Sequence, residues 1–222
     1  MAYCRCYRRN SDQSLREAQR LAIQGDVHAL AKYITARVRQ GEVNPRFVEM
    51  AAGLGHPAAM LLYPNIRPIS YDSLNVIFEE LIRDGFLPLV VRMLISLLPD
   101  DPRYAKCVEV ALRWTKNPSP ELVPEGGLDI DGPCTTIDYQ DSSYNGLIAK
   151  DVRYAIFSII NHAQDGRGQG WEYQNGYTAA YALKKLATPP GAWPLESLKE
   201  SETTRQQLNH IAEVLLGLRT IS

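Results

Sequence analysis

The sequence predicts an all-α protein of antiparallel helix pairs, arranged as an irregular α-solenoid or an orthogonal bundle. Three observations carry that expectation. Apolar residues recur at helical spacing along nearly every segment. Glycines and prolines fall where helices end and restart. No run of alternating apolar and polar residues is long enough for a sheet.

The elements follow in order. Leu15, Ala18 and Ala22 keep helical spacing, and Gly25 follows. Asp26 is a good N-cap for the next helix, whose stripe is Val27, Leu30, Ala31, Ile34 and Val38. Gly41 stops it. Asn44-Pro45 then supplies a cap and a proline at the first helical position, where a missing N–H costs nothing. Phe47, Val48, Ala51 and Ala52 make the inner face of that helix.

The next stretch, "AAGLGHPAAM" (51–60), reads G-x-G-x-x-A through Gly53, Gly55 and Ala58. A dinucleotide-binding loop needs a strand before that pattern. A capped, proline-started helix precedes it here. The stretch is therefore read as a helix corner, with Gly53 or Gly55 left-handed and Pro57 restarting the chain. Pro64 and Pro68 break the helices. Ser73 is expected to cap a helix with Leu74, Ile77, Phe78, Leu81 and Ile82 on one face, ended by Gly85. Residues 86–98 are apolar nearly all round and should be the most buried. Pro99 ends that helix, and the next presents Tyr104, Cys107, Val108, Ala111, Leu112 and Trp114.

Residues 117–146 are rich in Pro, Gly, Asp and Ser and form a long loop, the natural boundary between an N-terminal part, 1–116, and a C-terminal part, 147–222. The two are expected to pack as one domain. Ile148, Val152, Ala155, Ile156, Ile159 and Ile160 resume a periodic face. A second loop, 165–176, precedes the small-residue helix "YTAAYALKKLA". Leu208, Ile211, Ala212 and Leu215 line the last helix. No convincing sequence repeat stands out, although helix pairs recur.

The totals exclude several function classes. The chain has 222 residues and a net charge of −1, so no global field draws it to nucleic acid or to an acidic membrane. The arginines of "CRCYRR" are a local exception. No apolar stretch reaches the roughly 20 residues of a membrane span, and no signal-peptide pattern is present, so the expected location is cytoplasmic. Cys4, Cys6, Cys107 and Cys134 are read as free thiols. Cys4-x-Cys6 lacks the spacing and the second pair of a zinc site, and "DIDG" lacks the later ligands of a calcium loop. Neither a metal nor a cofactor is expected.

No catalytic residue is assigned. Asp100, Asp101 and Arg103 are read as capping a helix start. Glu79 and Glu80 point apart on a helix, and Glu121 and Glu125 lie in a loop. Ser142 and Ser143 carry no nucleophile motif. The best functional stretch is 165–176, where Arg167, Trp171 and Tyr173, with Tyr177 just after, have the composition of an interaction hot spot on a glycine-rich segment. The alternative is that Trp171 and Tyr173 fold back onto the core.

"RVRQGEVNPRFVEMAAGLGHPAAMLL", "VVRMLISLLPDDPRYAKCVEVALRW", "LIAKDVRYAIFSIINHA" and "GYTAAYALKKLA" together resemble an uncharacterised group of helical proteins common in myxobacteria and planctomycetes. The second segment also resembles a bacterial immunity-protein family. The resemblance spans about residues 12–190 and departs at Tyr104, where those proteins have Pro. It implies an all-α protein that neutralises a toxin or acts as an adaptor, and it brings no catalytic residues. The expected partner is accordingly another protein, a toxin or effector, rather than a membrane or nucleic acid. The second reading is a small-ligand binder or enzyme using the two long loops.

Overall fold

A computed structural model describes residues 14–69, 73–97, 105–118, 155–156, 158–160, 175–176, 178–181 and 202–218. Among these residues every regular element is helical and no strand occurs. The all-α expectation is met. The helices are α1 (14–23), α2 (Val27–Arg39), α3 (Pro45–Gly53), α4 (Pro57–Leu62), α5 (Leu74–Arg83), α6 (Leu87–Ile95), α7 (Ala105–Lys116) and α8 (Glu202–Leu215). The described parts of 155–160 and 175–181 are helical too.

Local chemistry explains the starts. The Asp26 carboxylate accepts from the His28 and Ala29 N–H groups at 2.9 and 3.0 Å. These bonds stabilise the ionised carboxyl, with Ala29 contributing most, and hold it below its usual range. Asn44 accepts from Arg46 N–H at 3.0 Å, and Pro45 opens α3. Ser73 departs from expectation. It occupies the N-cap position of α5 without a side-chain cap bond, because its ψ of 7° is not the extended conformation that aims a hydroxyl at the first turn.

The ends share one device. After α1, α3 and α5 the chain turns through Gly25, Gly55 and Gly85, with φ of 90°, 84° and 85°. In each turn the glycine N–H donates three residues back, and the next N–H donates five residues back: His56 to Ala51 and Phe86 to Leu81, as Asp26 to Leu21. This double bond caps the last carbonyls of the helix. The three glycines lie 30 residues apart in the sequence. Among the described residues these three are the tight corners, where the next helix begins two residues after the glycine; the turns at Gly41 and Gly217 use the same pair of bonds.

Two compact units are distinguished: Met1–Ile69 with Leu208–Thr220, and Ser70–Gln207 with Ile221–Ser222. In the first, α4 packs on both α2 and α3. Ile34, Val48, Ala51, Ala52, Ala58 and Ala59 are buried, as are Ile211, Ala212 and Leu215. Arg37 ties α2 to the end of α8, donating to the carbonyls of Leu216 and Gly217 at 2.9 and 3.2 Å while pairing with Glu42.

In the second, α6 packs on α5 and α7. Leu87, Val90, Val91, Met93, Leu94 and Ile95 are buried, as the apolar run predicts, and so are Ala111 and Trp114 of α7. Gly176 meets α5 directly. A Cβ there would lie 2.8 Å from the Glu79 backbone nitrogen. Beside it, buried Asn175 accepts from Ser158 Oγ at 2.8 Å. Gly176 thus permits backbone-to-backbone contact with α5.

Candidate functional site

The corner at 51–60 settles the phosphate-loop question. Residues 45–53 are helix, not strand, and Gly55 carries the positive φ. Gly53 is helical and serves differently. Its carbonyl accepts from Ile69 N–H at 2.7 Å, and a Cβ on it would sit 2.6 Å from Ile69 Cδ1. One glycine makes the turn and the other admits a returning chain.

His56 completes the corner. The residue is 3% exposed, and Nδ1 accepts from Ala59 N–H at 3.3 Å, capping α4. That bond requires a bare Nδ1, which places the proton of the neutral ring on Nε2. Burial pushes the pKa down to about 4. A neutral, desolvated imidazole bonded to the first turn of α4 is a structural cap.

An open feature of the first unit is a groove of about 780 Å³. One wall is α1, with Leu15, Ala18 and Leu21 facing it. These positions are only half-buried, although their spacing is that of a core stripe. The opposite wall is one face of α2, which presents Ala29, Ala31, Lys32, Thr35, Ala36 and Arg39. Leu61 and Leu62 of α4 close the end, and Leu61 remains 45% exposed. Neighbouring Met60 is 41% exposed. Three consecutive apolar residues on a one-and-a-half-turn helix cannot all face one core, and that is the sequence signal that points to this site.

The polar groups of the groove are mostly engaged. Glu17 accepts from Arg20 at 2.7 Å, which lowers its pKa, and Asp26 caps α2. The Thr35 hydroxyl donates to the Ala31 carbonyl at 2.8 Å. Lys32 and Arg39 are exposed, and neither forms an ion pair with a described residue. The site has an apolar lining and a cationic wall.

Arg167, Trp171, Tyr173 and Tyr177 lie outside the described residues, as do Cys4, Cys6, Asp100, Asp101 and Arg103. Among the described residues no group of three or more His, Cys, Asp or Glu side chains could hold a metal ion. None of the helices described is long and apolar enough to cross a membrane. Comparison with protein-family models, curated proteins and solved structures found no match.

Proposed function

We propose that the protein is an interaction module that binds another protein through the α1–α2–α4 groove. One observation carries the reading. Leu15, Ala18, Leu21 and Leu61 leave apolar surface open in a concave site, while the groove's carboxylates and its Thr35 hydroxyl are already hydrogen-bonded. Exposed apolar concavities rimmed by polar residues are where partners dock. Antiparallel helix pairs commonly build such binding faces, and two of them, turned at Gly25 and Gly55, lie within the groove's own unit. An immunity or adaptor role is the finer form of this proposal, supported by the sequence resemblance.

The groove also has the volume of a small-molecule site. Catalysis there would call for convergent groups with pKa values tuned for proton transfer. His56, the buried group whose pKa is most displaced among the described residues, does not line it.

The test places a photo-crosslinking side chain at Leu61 and, as a control, at Val76, which is 48% exposed in the other unit. We expect one stoichiometric protein captured from Leu61 and not from Val76, with capture lost in Ala36→Glu. Equal capture from both positions overturns the proposal, as does turnover of a small molecule blocked by Ala36→Glu. For the immunity form, co-expression of the captured protein with this chain restores growth that the captured protein alone suppresses.

A further inference from the structure

We infer that the occupant of this groove is an acidic amphipathic helix, with carboxylates seven residues apart that meet Lys32 and Arg39. The inference rests on the groove being a protein-binding site and specifies its partner's chemistry.

Lys32 and Arg39 lie two turns apart on one face of α2, about 10 Å along the axis. Their neighbour Arg37 is held by Glu42 and two carbonyls, and Arg20 is held by Glu17. Lys32 and Arg39 have no such pairing among the described residues. Asp26 feels Lys32 only as a neighbouring charge while its oxygen is spent on backbone N–H groups. The charge left to offer a partner is positive, and seven-residue spacing on a partner helix returns to the same face.

The groove's all-helical walls favour a helix. An extended peptide draws affinity from backbone hydrogen bonds to a sheet edge, and no strand exists among the described residues. A helix satisfies its own backbone and needs only an apolar stripe against Leu15, Leu21 and Leu61. The chain's own leading segment is a poor electrostatic fit. Residues 1–13 carry Arg5, Arg8 and Arg9 against a single acid, Asp12.

Three synthetic helical peptides test the inference on the full chain by fluorescence anisotropy. They share one leucine stripe and differ at two positions seven apart, which are Glu, Gln or Lys. The Glu peptide should bind about fivefold tighter than the Gln peptide at low salt, as two exposed ion pairs allow, and the Lys peptide weakest. High salt should compress the order. Lys32→Glu with Arg39→Glu should invert it, with only a small loss of thermal stability, because both side chains are exposed and Arg39 lies in the last turn of α2. Equal affinities, or an order that survives the charge reversal, overturn the acidic partner and leave the groove standing. Binding of none of the peptides also overturns the inference, and capture at Leu61 then judges the groove by itself. Binding undiminished by Leu61→Arg overturns both.

Discussion

The corners at Gly55–His56 and Gly85–Phe86 have nearly the same backbone and different chemistry. Both glycines have φ near 85°, and both turns close with the same pair of hydrogen bonds. Yet His56 caps the next helix with its ring, whereas Phe86 makes no side-chain cap. Gly25–Asp26 is a third version, capped by a carboxylate. The backbone turn is therefore independent of the cap. What the residue after the glycine does follows its surroundings: charged where exposed, neutral and polar where buried, apolar in Phe86.

The largest expected effect separates His56 from Phe86 by acid. The unfolded imidazole titrates near 6.5 and the folded one near 4, so between those values the unfolded chain binds more protons. Stability is full above about pH 6.5 and falls as pH drops through the folded pKa, by on the order of 3 kcal/mol. Protonation also makes Nδ1 a donor, which removes the cap on Ala59. His56→Asn keeps a cap acceptor without a titrating ring. Thermal melts from pH 7 to pH 4 should flatten in that variant relative to the parent, and equal slopes would refute the assignment.

The next effect distinguishes the two glycines of the same corner. Gly55→Ala meets no atom within 4 Å, so its penalty is the positive φ alone, about 1 kcal/mol. Gly53→Ala has ordinary helical φ but drives its Cβ into Ile69, for about 1–2 kcal/mol. Ile69→Val removes Cδ1 and should relieve much of the second penalty and none of the first. Urea unfolding of the four variants measures the difference, and equal relief at both sites would show that the glycines act alike.

Much of this was legible because capping and glycine turns are local. Asp26, Asn44, Pro45, Pro57 and Gly85 announce helix ends in the sequence, and the structure uses them so. Ser73 misled, because a residue type permits a cap bond but the backbone angle decides it. Residue type does not choose between Gly53 and Gly55, since both fit a helix end and only φ separates them. The groove was hidden for a different reason. Leu15, Ala18 and Leu21 have the spacing of a buried stripe, and spacing does not say whether anything covers them. The 30-residue recurrence was present but carried by single glycines among dissimilar neighbours. The residues favoured from composition, Arg167, Trp171, Tyr173 and Tyr177, lie outside the described residues, so the groove neither replaces nor supports them.

The smallest effect compares the tight corner with a looser connection. Gly41 makes the same turn after α2, with its N–H on Val38 and that of Glu42 on Arg37. There the cap of the next helix comes three residues later, at Asn44, with buried Val43 between. At the tight corner Gly55 and His56 are adjacent. Asn44→Ala should cost about 1 kcal/mol. Its combination with Gly41→Ala should be additive within about 0.5 kcal/mol, because no bond links the turn to the cap. Gly55→Ala and His56→Ala should instead couple beyond that margin, since strain at Gly55 moves the very N–H that His56 donates to Ala51. Two double-mutant cycles, read by denaturant unfolding, compare the cases. Additivity at both places would mean that turn and cap are independent even when they are neighbours, and the tight corner would then be two separate devices that happen to touch.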